Sequence, residues 1–462
     1  MKPSQQNKLV TLWDKFTSGS VNRKIFGAVI AVGLGTAFVK LLSVVKELVV
    51  AWKFGTSDEV DAFLIALLIP AFITNIIGGS LNAALIPTYI RVREQEGIKE
   101  AEKLFAGSVV WTLGLLIITT IIMLATAPIY LPLIAGGFST EKLSLTYRLI
   151  WTLSPIVILG GVITIWGAIL NAGERFVLVS LAPMITPSVT ILLLFFVSSW
   201  GVFNLANGIV LGEFLEIIVL GTMLYRQGMS LIPRWYGFDR NLKEVAGQYA
   251  PMIAGAFLMN SSGLVDQSMA AMLPSGSVAA LNYGNRIIAL PITISTTALS
   301  TAVIPYFSKM VAREDWKSVR HTLKRYMVII WAVTLPLTGL IILLSEPIVR
   351  VLLQRGSFSA SDTHIVSEIQ ICFAFQIPFY IANILVVRLI SSMRLNHLLL
   401  QVSAFNLIIN IVTNYIFIQW MGIKGIALST SCVYVFCFLY LFINAEIQLK
   451  EKDKLLKQNL SE

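Results

Sequence analysis

Twelve apolar stretches, each long enough to cross a lipid bilayer, restrict this chain more than any other feature. A membrane helix needs about 20 predominantly apolar residues. Such stretches fall at roughly 25–52, 60–90, 105–134, 147–172, 176–199, 203–226, 245–272, 277–307, 322–345, 363–390, 398–420 and 423–446. In lipid, backbone polar groups must be satisfied within the chain, so segments of this kind fold as helices. Composition agrees: of 462 residues, 56% are hydrophobic and 13% charged. Soluble domains carry about 25% charged residues. The expected fold is an all-α polytopic membrane protein.

The first stretch is expected to be a retained helix. It runs to about 28 apolar residues, beyond the roughly 7–15 of a signal-peptide core. The net charge of +10 reads as orientation and not as nucleic-acid binding. Lys and Arg crowd both tails and the loops that carry Arg91, Lys103, Arg240, Lys243, Arg313 and Lys324, among others. The opposite side holds only Lys53, Lys142, Arg148, Arg350, Arg355 and Lys424. Positive charge stays cytoplasmic, so both termini are expected in the cytoplasm.

Catalytic chemistry finds no support. Cys372, Cys432 and Cys437 lie in apolar segments without metal-site spacing, and His321, His364 and His397 are dispersed. No nucleophile or carboxylate pair stands at catalytic spacing, so no catalytic residue is assigned and no enzyme is expected.

The chain repeats itself. "SLNAALIPTYI" at 80–90 matches "ALSTAVIPYFS" at 298–308, and "APIYLPLIAGGFS" matches "EPIVRVLLQRGSFS". Pro87, Pro128, Phe138 and Pro155 align with Pro305, Pro347, Phe358 and Pro378 at a nearly constant separation. Six helices per copy is an even number, so both copies enter from the same side, as parallel repeats around a central cavity. The expected organisation is a cytoplasmic tail over 1–24, a six-helix lobe over 25–226 and a cytoplasmic loop over 227–244. A second lobe over 245–446 and a cytoplasmic tail over 447–462 complete it.

The first span carries charges. A charge at the centre of a membrane helix costs about 2.5–3.5 kcal/mol on insertion scales. Thr36, Lys40, Ser43 and Glu47 recur at i, i+4, i+7 and i+11 and share one helix face, with Lys46 beside them. That face is expected to line the cleft between the lobes. Asp61 at the start of the second span, Arg286 in the eighth and Asp266 in the seventh are further in-span charges. Arg388 reads as a snorkelling residue near a helix end. Glu213 and Glu216 have no partner visible in the sequence. Lys40, Lys46 and Arg286 outweigh Glu47 and Asp61, so the cleft reads as a carrier site for an anion such as a phosphate or diphosphate.

"KLLSVVKELVVAWKFGTSDEVDAFLIALLIP" and "SGSVAALNYGNRIIALP" followed by "ALSTAVIPYFSKM" resemble the lipid II flippase MurJ (MviN) family. That family sits within the multidrug/oligosaccharidyl-lipid/polysaccharide exporter superfamily. The resemblance implies that Lys40, Lys46, Asp61 and Arg286 belong to the substrate site, to which the stripe adds Ser43 and Glu47, and that Asp61 pairs with Lys46. It also implies a sodium site from Asp266, Asn410, Asn414 and Thr430. The family usually has Arg at the two first-helix positions, an arginine pair where this chain has Thr74 and Asn75, and two more C-terminal helices.

The function implied is a flippase of the bacterial inner membrane, acting by alternating access. Its cargo would be a polyprenyl-diphosphate-linked sugar, lipid II or a related oligosaccharide, for peptidoglycan or surface polysaccharide. No organic cofactor is expected, and sodium, a proton gradient or the membrane potential are the candidate energy sources. Glycan-assembly proteins are candidate partners, and nucleic acid is not. The alternatives are a cation-coupled multidrug exporter of the same superfamily and a non-transporting partner of a glycan-assembly complex.

Overall fold

The computed structural model describes the backbone of residues 21–459 except 174, 229–230 and 232–233. Side chains are described over 32–454, apart from those positions and 198, 294, 297–298, 300–306 and 308. Most of the expected 1–24 tail therefore lies outside the described residues. So do most side chains of the second copy of the repeated motif at 298–308.

Each of the twelve stretches is occupied by helix. The first half comprises α1 (Val21–Phe54), α2 (Asp58–Gln95), α3 (Ile98–Ile134), α4 (Thr140–Leu153), α5 (Pro155–Ala172), α6 (Phe176–Leu181), α7 (Ile185–Phe196) and α8 (Phe203–Arg226). The second comprises α9 (Arg240–Ala270), α10 (Ser277–Ala312), α11 (Trp316–Leu343), α12 (Ser345–Leu353), α13 (Ala360–Ala374), α14 (Gln376–Ser392), α15 (Asn396–Met421) and α16 (Ile423–Asn459). No strand occurs among the described residues. Among the described residues, nine spans pass a test of length and apolarity alone.

The repeat shows in where the helices break. The span formed by α4 and α5 is interrupted at Ser154, with Pro155 opening α5. Its counterpart, α13 and α14, is interrupted at Phe375, three residues before Pro378. Proline lacks the N–H that would continue the hydrogen-bond ladder, so each copy bends at the same place. Both copies also cap the helix after the third span alike. Ser139 accepts from the Lys142 N–H, and Ser359 forms a capping box with Asp362.

The halves meet along α2 and α9 and again where α10 reaches α1 and α2. Along the first seam Phe72 packs edge-on to Phe257 with centroids 5.6 Å apart, and Tyr249 donates to the Ile77 carbonyl at 2.8 Å. Near the far end of α2, Arg91 makes a two-pronged ion pair with Glu244 at 2.8 and 2.9 Å, and Asn241 donates to Glu96.

At the opposite end the main chains touch. Gly276 has φ +83°, and a Cβ there would sit 2.4 Å from the Thr56 carbonyl oxygen. Gly356 has φ +58°, and a Cβ would sit 2.3 Å from the Trp52 carbonyl oxygen. Only glycine takes these angles without strain and leaves room for the neighbouring backbone. Next to Gly356, the Ser357 N–H donates to the Trp52 carbonyl at 2.9 Å.

Candidate functional site

Three residues of the α1 stripe, Lys40, Ser43 and Lys46, line a cavity of about 500 Å³ inside the first half. Thr74 and Asn75 of α2, Thr164 of α5 and Glu213 and Glu216 of α8 complete its polar wall. Local sequence explains the space. Pro183 lies in the tight 3₁₀ turn between α6 and α7 and Pro187 in the first turn of α7, and both border the cavity. Below them α2 and α5 lie close together, since a Cβ on Gly160 would come within 2.7 Å of Thr74.

Glu47 is the link to the second half. Its carboxylate lies 3.0 Å from Lys46 Nζ and 3.7 Å from an Arg286 guanidinium nitrogen. Its side chain is 15% exposed, while that of Arg286 is 54% exposed. A buried carboxylate thus sits between a cation of its own helix and one from α10. Lys40 has no ion-pair partner among the described residues. Ser43 donates to the Val39 carbonyl of its own helix at 2.9 Å, so its proton is already used. Lys46, Glu47 and Arg286 therefore come together, while of the expected site residues it is Lys40, Ser43 and Lys46 that border the cavity and Glu47 and Arg286 that do not.

Asp61 does not join them, and the expected pairing with Lys46 is corrected. It is 1% exposed at the Gly276 end of the molecule, and its partner is Lys142 of α4 at 2.8 Å. The other calls on its oxygens are the Gly276 and Ala279 N–H groups at 2.8 and 2.7 Å. These open α10, so Asp61 caps a helix of the opposite half, where unpaired N–H groups and the helix dipole favour an anion. Lys142 also contacts Asp58, which accepts from Ser275 at 2.8 Å. Thr56 hydrogen-bonds Asp362 across the same seam. Asp61 holds the halves together and stays off the cavity wall.

The residues expected to hold sodium are brought together. Asp266 of α9 accepts from Asn410 at 2.9 Å and from Asn414 at 2.7 Å, both on α15, and from Thr430 of α16 at 3.1 Å. Asn410 and Asn414 are one helical turn apart, which puts both amides on the face turned to α9. Asn414 Oδ1 is buried without a hydrogen-bond partner.

Sequence reasoning missed Lys142 as a structural residue. The available signal was its place in the first turn of α4, where the helix dipole disfavours a cation unless an acid comes from elsewhere. It also left Glu213 and Glu216 unassigned, although they share a cavity with Lys40 and Lys46.

Known proteins place this arrangement. A family model described as lipid II flippase MurJ matches residues 50–461. A probable lipid II flippase MurJ of Synechocystis sp. is 25% identical over 434 residues, covering 91% of this chain and 81% of that one. One from Thermotoga maritima is 25% identical over 433 residues, covering 92% and 86%. Among solved structures, a lipid II flippase MurJ in an inward closed conformation superposes with a TM-score of 0.79 at 23% identity, covering 90% of this chain and 87% of that one. An inward-facing MATE multidrug resistance transporter gives 0.73 at 15% identity, covering 90% and 99%. The structural likenesses show the shared fold.

Proposed function

The chain belongs to the lipid II flippase MurJ family, and from that premise we propose that it moves a polyprenyl-diphosphate-linked sugar across the bacterial inner membrane. The cargo class is lipid II or a related lipid-linked oligosaccharide, carried from the cytoplasmic to the outer leaflet. The observation that carries this reading is the placement of Lys40, Lys46, Glu47 and Arg286. A diphosphate needs cations to offset its lost hydration, and lysines and arginines supply charge-assisted hydrogen bonds. Glu47 balances Lys46 and Arg286 in the absence of cargo. A diphosphate arriving beside Lys40 competes for the same cations, one of which belongs to the other half.

The Gly276 end is assigned to the outer face and the Arg91 end to the cytoplasm, in keeping with the distribution of basic residues. Buried, multiply hydrogen-bonded contacts seal the outer end. The Arg91–Glu244 pair at the other end is more than one third exposed, and exposed pairs contribute little. Cargo therefore arrives from the cytoplasmic side, and the halves rock to release it outside, as in parallel-repeat carriers.

The Asp266 cluster fits a hard monovalent cation such as sodium. One carboxylate, one hydroxyl and two amide oxygens are an all-oxygen donor set. The orphaned Asn414 Oδ1 is an acceptor lacking a positive partner. Asp266, Asn410, Asn414 and Thr430 would hold the ion, which supplies driving force from its gradient.

The test is transport of a labelled lipid-linked glycan by purified protein in liposomes. Lys40→Ala and Arg286→Ala are expected to abolish flipping at matched protein levels. Full activity in both variants would remove the anionic cargo.

A further inference from the structure

Glu213 and Glu216 lie on one face of α8, one turn apart, in a membrane-buried wall. Glu216 is 5% exposed and makes no ion pair or hydrogen bond among the described residues. Glu213 Oε2 is buried without a hydrogen-bond partner. Two features hold them there. Gly208 and Gly212 let α8 close onto Thr190 and Thr186 of α7, and Glu216 continues that stripe one turn further. Both carboxyls then border the cavity that Lys40 and Lys46 border from α1.

The surroundings offer these acids little else. The α5 and α7 helices, which pack on α8, carry no titratable residue. The α4 helix brings Arg148 over Phe203, at the opening turn of α8 and away from the cavity wall. The charged groups that share the cavity with Glu213 and Glu216 are Lys40 and Lys46.

We propose that Glu213 and Glu216 are a proton-exchange site coupled to the diphosphate, with the cavity taking up protons as the anion binds. This rests on the anion site described above. An ionised carboxylate on this wall is a counter-ion to the lysines. When a polyvalent anion takes that role, the carboxylate becomes a like charge in a low-dielectric space, and Glu213 Oε2 accepts no hydrogen bond there. Protonation removes the repulsion without moving a helix. The protons come from water on the cytoplasmic side and leave with the anion's departure, so each cycle carries positive charge alongside the negative head group.

The sign follows from linkage. Binding that takes up protons strengthens as pH falls, by about tenfold per pH unit for each proton. The probe is farnesyl diphosphate, added to full-length protein in detergent and followed by calorimetry between pH 6 and 8 in buffers of different ionisation enthalpy. The ligand's own titration is common to all variants and cancels in the comparison. The wild type is expected to bind more tightly at low pH and to take up protons. Glu213→Gln/Glu216→Gln, which mimics the protonated pair, should bind at pH 8 as tightly as the wild type does at pH 6, with a flatter pH profile. The single Glu213→Gln change should fall between them, and unchanged thermal unfolding of both variants would show that the fold is intact. An identical pH slope in the wild type and the double variant would overturn the proton site while leaving the anion site standing. No diphosphate binding by the wild type at any pH would overturn the anion site and this inference with it.

Discussion

The two halves share one fold but hold polar groups in opposite ways. In the first, the cavity collects two lysines and two glutamates, and Lys40, Glu213 and Glu216 have no ion-pair partner among the described residues. In the second, a single acid, Asp266, accepts hydrogen bonds from Asn410, Asn414 and Thr430, all neutral. A large, open, incompletely paired site suits a polyvalent ligand that brings its own charge. A compact carboxylate ringed by neutral oxygen-bearing groups suits one small cation. The two copies share a scaffold and differ in the polar residues they carry on α1, α8, α9 and α15.

The largest expected effects test that division. Lys40→Ala and Arg286→Ala should lower transport by at least about 10- to 100-fold, the worth of one charge-assisted hydrogen bond, at every sodium concentration. Sodium-dependent rescue would blur the two sites into one. Lys142→Ala acts outside both. It strands the buried Asp61 beside helix α10, and breaking a buried pair costs about 3–5 kcal/mol. Thermal unfolding in detergent should show the loss, and Lys142→Ala combined with Asp61→Asn should recover part of it. A Lys142→Ala protein as stable as the wild type would mean that the α10 N–H groups alone satisfy Asp61.

Asp266→Asn should make transport indifferent to sodium while leaving diphosphate binding unchanged. Transport that never depended on sodium would remove the cation role from the second half. The smallest effect is expected for Lys40→Arg, within about threefold of wild-type transport, because charge matters first and geometry second at a site facing an open cavity. A loss as deep as that of Lys40→Ala would show instead that the compact ammonium is required.

Much of the fold was legible because lipid permits few solutions. Each apolar run is occupied by helix, and the aligned Pro155 and Pro378 fall at matched breaks in α4–α5 and α13–α14 that the continuous runs did not reveal. The α1 stripe was legible from 3.6-residue periodicity. The Asp266 cluster was reached through family resemblance, since nothing local ties residue 266 to residue 430. Spacing reveals which residues share a helix face but not which helices meet. The resemblance paired Asp61 with Lys46 where the fold supplies Lys142, and Glu213 and Glu216 appeared partnerless while lying across a cavity from Lys40 and Lys46.

The glycine contacts at the Gly276 end bear on the speed of opening. Where Gly276 meets Thr56 and Gly356 meets Trp52, glycine main chain lies against the carbonyls and side chains of those two residues. The side chains that hydrogen-bond across the seam, Thr56, Asp58, Asp61, Ser275 and Asp362, are short, so closure has little ordering entropy to overcome. The barrier to opening is then set by a small number of hydrogen bonds breaking together, and re-sealing needs only the helices to swing back. A methyl group at Gly276 would act as a wedge, holding the seam ajar and raising the resting population of molecules open at that end.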